Sequence, residues 1–256
     1  IDAKNKPSIV ESCLRFFGVA SPEEWRGHYG GMQVAFRRSR DEQSDVGAIS
    51  AWLRLGEQVA EKLDGPKYDK ARFENALSEI RGLTCTAPEF FEPRMRELLH
   101  DAGVLLALVP AIPRAHVSGV ARWLNPTRPL IQLSLYGKTN DKFWFTFFHE
   151  AAHILLHADS KEAKKSIFLD DPNANHSPDP REQEANQWAG NVLIPQAYSR
   201  ALGTLRTKEA VRGFATSIGI HPGIVVGRLQ HDHIIDPSWM NDLKLSFRFA
   251  AVKPDA

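Results

Sequence analysis

Cysteine is close to absent from this sequence: Cys13 and Cys85 are the two in 256 residues, and they stand far apart. So small a supply excludes a disulfide scaffold and a thiolate-rich metal site, and it points to a reducing, cytoplasmic compartment. Also missing is any apolar run near the ~20 residues that a spanning helix needs, so no membrane partner is expected. No secretory leader opens the chain. It starts at Ile1 rather than Met, which leads us to expect a trimmed product with something upstream. Charge of one sign is lacking as well. Thirty-two Lys and Arg stand against 31 Asp and Glu, a net charge of +1, so nothing advertises nucleic acid or a lipid surface. The basic tract Arg37-Arg38-Ser39-Arg40 is short, is followed at once by Asp41-Glu42, and reads as a solvated loop. There is no internal repeat and no low-complexity tract.

What is present is ordinary globular material, 43% hydrophobic and 25% charged, enough for one large domain or two small ones. Residues 1–100 read as a helical N-terminal region. Helices are expected over 7–17, from the capping box Ser21-Pro22-Glu23-Glu24 onward, over 45–63 up to Gly65-Pro66, over 70–80, and over 93–102 up to Gly103. Short apolar segments then predict strands at 104–109, 117–124 and 130–135. The alternation of the last predicts one covered and one open face. A helix follows the turn at 138–141, a loop runs over 170–180, and a second helix spans 181–194 before Pro195. The expected division is a helical region at 1–100, a core at 101–200 and a helical extension packed on it at 201–256.

The most informative stretch is WFTFFHEAAHILLH, residues 144–157. It places three histidines and a glutamate in an apolar run, where ionisable groups need partners. His149-Glu150-Ala151-Ala152-His153 is an HExxH motif. On a helix, positions four apart share a face, so His149 and His153 can grip one zinc ion. Glu150, beside the first histidine, can take the proton of a water that zinc has acidified. Catalytic zinc takes three protein ligands, and the third is expected on another element. In Arg181-Glu182-Gln183-Glu184-Ala185-Asn186-Gln187-Trp188-Ala189, Glu182 shares the apolar side of Ala185 and Ala189. Glu182 is therefore the chosen donor, with Glu184 as the competing one. Asn186, one turn further, is expected to hydrogen-bond a ligand. His157 would put a third histidine about 12 Å of helix rise from the first, too far for one ion, so it is expected to support a ligand instead. His221, His231 and His233 read as locally bonded or exposed.

These motifs, with Leu193-Ile194-Pro195 after the second helix, resemble the ImmA/IrrE family of metallo-endopeptidase domains. That family shows an aromatic-rich HExxH helix and an E-x-x-A-N-x-F-A helix ending in L-L-M-P; here Trp188 and Ile194 replace the usual Phe and Met. The resemblance covers residues 100–200, and the segment 226–231 is similar to the C-terminal part of long HigA-type antitoxin regulators. It implies an α+β, zincin-like metallopeptidase domain with a small twisted sheet, a HExxH helix and a second ligand-bearing helix, preceded by the helical N-terminal region. It implies Zn2+ at His149, His153 and Glu182, with Glu150 as general base, in a gluzincin-like enzyme. It implies a protein partner as substrate, a transcription repressor or a toxin, in stress-response or phage-type regulation. DNA would enter only through a helix-turn-helix domain missing upstream.

In zincins an edge strand binds substrate by strand addition, so segment 130–135 is expected to serve as one, with Gln132 and Ser134, or else Ile131 and Leu133, facing the groove. Two other readings compete. One is a zinc-binding regulatory or sensor domain with little proteolysis; Glu150 argues against it, because a purely structural site has no use for a base. The other is DNA binding by residues 209–229, which have helix-turn-helix spacing around Gly219. The second helix there offers few side chains suited to base edges, so a helical pair packed on the core is expected.

Overall fold

The computed structural model describes residues 6–29, 45–157, 168–170 and 179–249. The basic tract at 37–40 and most of the loop expected over 170–180 lie outside the described residues.

The N-terminal helices follow from their caps. Helix α1 spans Lys6–Phe17 and α2 Pro22–Tyr29. Ser21 Oγ accepts from the Glu24 N–H at 3.1 Å, while the Glu24 carboxylate accepts from the Ala20 N–H, so the capping box closes one residue upstream of the usual position. Asp45 caps α3 (Val46–Ala60) and Asp69 caps α4 (Lys70–Gly82). Helix α5 starts at Pro88, not at the expected Pro93, and runs to Asp101. Pro88 fills the first helical position, where no N–H is needed, and Pro93 is carried inside at the loss of one bond. The buried face of Phe91, Met95 and Leu99 holds α5 together across that gap. Gly103 ends it at φ 74°, and a Cβ there would lie 2.5 Å from the Lys67 carbonyl, so both conformation and space require glycine.

The sheet has four strands in the order β1-β3-β2-β4, from β1 (Leu105–Leu108), β2 (Gly119–Asn125), β3 (Arg128–Leu133) and β4 (Phe168–Asp170). β3 runs parallel to β1 and antiparallel to β2, and β4 pairs antiparallel with β2. The period of two divides the side chains. Leu106, Ala121, Ile131 and Leu133 join a large core with α4, α5 and the helices downstream. Leu105, Ala107, Val120 and Leu130 join a second core with Ile49, Trp52 and Leu53 of α3. Both faces of the sheet are therefore covered. This corrects two expectations: β3 has no open face, and it is a central strand rather than an edge.

Helix α6 (Asn140–His157) lies on the first face and is buried around most of its circumference, as its aromatic composition requires. Trp144, Phe147 and Phe148 are fully buried, each contributing ~1.5–3 kcal/mol by area. Helix α7 (Pro180–Leu193) packs against α6, and its buried stripe is Ala185, Ala189 and Leu193, of which the two alanines leave room for a close approach. Helices α8 (Lys208–Ser217) and α9 (Pro222–His231) meet at Gly219, φ 67°. α9 packs on α6 and buries Ile224, Val225, Val226 and Leu229, so its apolar face is spent on the core, which argues against its use as a DNA-reading helix. The Lys244–Asp141 ion pair, 2.7 Å and nearly buried, ties the following segment to the start of α6. Among the described residues no helix is long and apolar enough to cross a membrane.

Candidate metal centre

His149, Glu150 and His153 all lie on α6 and are all buried. The helix aims its two histidines at the first turn of α7. That turn is fixed by Asp179, whose carboxylate accepts from the Arg181 N–H at 2.9 Å, and by Pro180 at the first helical position. Glu182 is thereby held over the α6 histidines. His149 Nε2 lies 3.2 Å from Glu182 Oε2, His153 Nε2 lies 3.4 Å from Glu182 Oε1, and the two Nε2 atoms are 3.0 Å apart. Within the described residues, His149, His153 and Glu182 form a group whose donor atoms all lie within 4.8 Å of one another.

This triangle fits a small dication. Tetrahedral zinc with bonds of ~2.0–2.2 Å places its donors roughly 3.3–3.6 Å apart, and the separations here, one between the two nitrogens and one from each nitrogen to a different oxygen of Glu182, are of that order. Hydrogen bonding alone serves the group less well. If both Nε2 atoms donate to Glu182, two N–H groups face each other across 3.0 Å. A cation in the middle turns all three groups into acceptors with one shared partner. Electrostatics agree: burial pushes the Glu182 carboxyl up, but the His149 and His153 rings beside it outweigh that and hold it down to about 2. Burial also lowers His153, against the pull of Glu182, which favours the neutral imidazole a metal needs.

Glu150 is fully buried against β2. Its neighbour there is Gly119, a residue to which the sequence reading assigned no role. A Cβ at Gly119 would lie 2.6 Å from Thr146 Cγ2 and 2.9 Å from Glu150 Oε1. Glycine within a strand is a signal of such close approach, and it was available in the sequence. Replacing Gly119 with Ala should push the Glu150 carboxylate aside. The expected result is a fall in hydrolysis of up to about a hundredfold, the scale of a 1 Å misplacement, with zinc affinity unchanged. Paired kcat and zinc-binding measurements check it; equal losses in both would mean that the whole site had shifted.

The supporting residues divide. His157 lies beside the second histidine, its Nδ1 3.2 Å from His153 Nδ1. On its far side, His157 Nε2 meets Glu184 Oε2 at 3.1 Å. Glu184 is thus the partner of His157, not a member of the donor triangle. Asn186 is a correction: it is exposed at the margin of the α7 stripe, and no hydrogen bond joins it to a ligand among the described residues. Gln132 and Ser134 are corrections too. Gln132 points to the α3 face, away from α6, where its Nε2 donates to the Trp52 carbonyl at 2.6 Å and its Oε1 accepts from Arg122. Gly56 on α3 leaves it that room. Ser134 Oγ donates to the Val117 carbonyl and accepts from the Tyr136 N–H, a turn-closing role. The alternatives Ile131 and Leu133 are core residues. His221 caps α9 by accepting from the Gly223 N–H, and His231 bonds Asp232. With exposed His233, they stand outside the donor group.

Residues 112–230 match the Peptidase_M78 family model, described as an IrrE N-terminal-like domain. The match runs from just before β2 to the end of α9 and contains every member of the triangle. A comparison with curated proteins found no match.

Proposed function

From the premise that residues 112–230 carry an IrrE N-terminal-like domain of the ImmA/IrrE metallopeptidase family, we propose that the chain is a zinc-dependent, gluzincin-like endopeptidase on a zincin-like α+β fold. The observation that carries the reading is the close cluster of His149, His153 and Glu182 donor atoms with the buried Glu150 beside it. Zinc held by those three donors supplies a Lewis acid that polarises the scissile carbonyl and acidifies water. The chain's own residues do the rest. Glu150 takes a proton from the attacking water and returns it to the leaving amine, as a general base and then a general acid. Phe145, its ring tilted against that of His149 with centroids 6.2 Å apart, helps keep the first histidine in place. The packed sheet behind Glu150 shields it from bulk water, which strengthens its interaction with charge that develops in the site.

The substrate is a regulatory protein partner, a transcription repressor or a toxin, in a cytoplasmic stress-response or phage-type setting. That part of the proposal is supported by the family resemblance carried by Glu182 to Pro195. The metal reading is tested on the purified chain. It should hold about one zinc, and a chelator should remove zinc and cleavage together, with both restored by added zinc. A chain that holds none, and whose stability and shape ignore added zinc, overturns the proposal.

A further inference from the structure

We propose that Glu184 is a positioning residue that acts through His157 to keep His153 in the tautomer that presents a lone pair to the metal. This rests on the metal reading above. The chain of contacts is His153 Nδ1 to His157 Nδ1, 3.2 Å, then His157 Nε2 to Glu184 Oε2, 3.1 Å. A carboxylate only accepts, so the proton of the second contact sits on His157 Nε2. A neutral His157 then has its lone pair on Nδ1, and only an N–H on His153 Nδ1 completes the first contact. That leaves His153 Nε2 without a proton, facing His149 Nε2 and Glu182 Oε1.

The arrangement settles a competition. Glu182, at 3.4 Å, attracts a proton to His153 Nε2, where it would occupy the direction a metal needs. The relay from Glu184 draws it to Nδ1 instead. Metal-bound histidines commonly donate their other N–H to an outer acceptor. Here that acceptor is a second histidine, itself set by a carboxylate two residues from the third donor. Exposure grades outward: the His153 side chain is 1% exposed, His157 8% and Glu184 60%. A residue as exposed as Glu184 can be replaced with little cost to folding, which keeps the test clean.

The variants are Glu184→Ala, Glu184→Gln, His157→Ala and the double His157→Ala/Glu184→Ala. Zinc affinity is measured by competition with a chelator, and histidine tautomers are read from nitrogen-15 spectra of the zinc-free protein. Glu184→Ala should weaken zinc about ten- to a hundredfold. It should also move the His153 proton from Nδ1 to Nε2. Glu184→Gln keeps an oxygen that accepts from His157 Nε2–H, so it should retain most of the affinity and the Nδ1 proton. The double variant should bind zinc no worse than His157→Ala alone, because both act through one contact. Wild-type zinc binding with an unchanged affinity and tautomer in Glu184→Ala overturns the positioning role by itself. A wild-type chain that binds no zinc overturns the metal reading, and the positioning role with it.

Discussion

Glu150→Gln is expected to keep its zinc and lose its hydrolysis, by about 10²–10⁴-fold in kcat, the usual contribution of a positioned acid or base. The geometry argues for so selective an effect. Glu150 lies one residue from His149, but the donor triangle is built from His149, His153 and Glu182 without it. Gln has the same length and shape, so its contact with Gly119 on β2 survives. What it lacks is a site that takes up a proton. The measurement pairs zinc stoichiometry and affinity with cleavage of the protein partner. Full cleavage by Glu150→Gln would remove Glu150 from the mechanism. Lost cleavage with an intact biological response would instead make the domain a zinc-holding regulatory scaffold. The contrast with Gly119→Ala sharpens the result: one variant keeps the position and removes the base, and the other keeps the base and moves it.

Local periodicity made the centre of this site legible, and pairing across the chain hid its margins. The i, i+4 spacing of His149 and His153 is a property of one helix, and the stripe of Glu182, Ala185 and Ala189 is a property of another. Each can be read from a dozen residues. The helical N-terminal region was legible for the same reason, through the spacing of its apolar residues and the Ser21 capping box, although Pro93 hid the true start of α5. Strand order is different in kind. Whether segment 130–135 is an edge depends on β1, some twenty-five residues before it and parallel to it, and no pattern within the segment carries that information. Gln132 looked like an exposed residue of an alternating strand. It is a buried polar group made tolerable by Arg122 on the neighbouring strand and by the Trp52 carbonyl, eighty residues away in sequence. The His157–Glu184 contact likewise joins two helices whose relative placement no single-helix argument supplies.

Glu182→Ala should weaken zinc far more than Glu184→Ala does. The two carboxylates stand two residues apart on α7, yet only Glu182 reaches the histidine pair, at 3.2 and 3.4 Å. Structural zinc binds small domains with roughly 10–16 kcal/mol, so one of four ligands carries about 2.5–4 kcal/mol, on the order of a hundred- to a thousandfold change in affinity. An outer partner such as Glu184 is expected to change it about ten- to a hundredfold. The folded state should register the same difference. Zinc that binds only the native chain stabilises it by RT ln(1 + [Zn]/Kd), so added zinc should raise the melting temperature of the wild type and of Glu184→Ala, and raise that of Glu182→Ala far less. The zinc-free Glu182→Ala protein also loses the carboxylate that lies against the His149 and His153 rings. Its melting temperature without metal is therefore the baseline against which the zinc response is read. If Glu184→Ala proved the more damaging of the two, the third donor would move to Glu184, and the donor triangle of the structure would not be the one that metal selects.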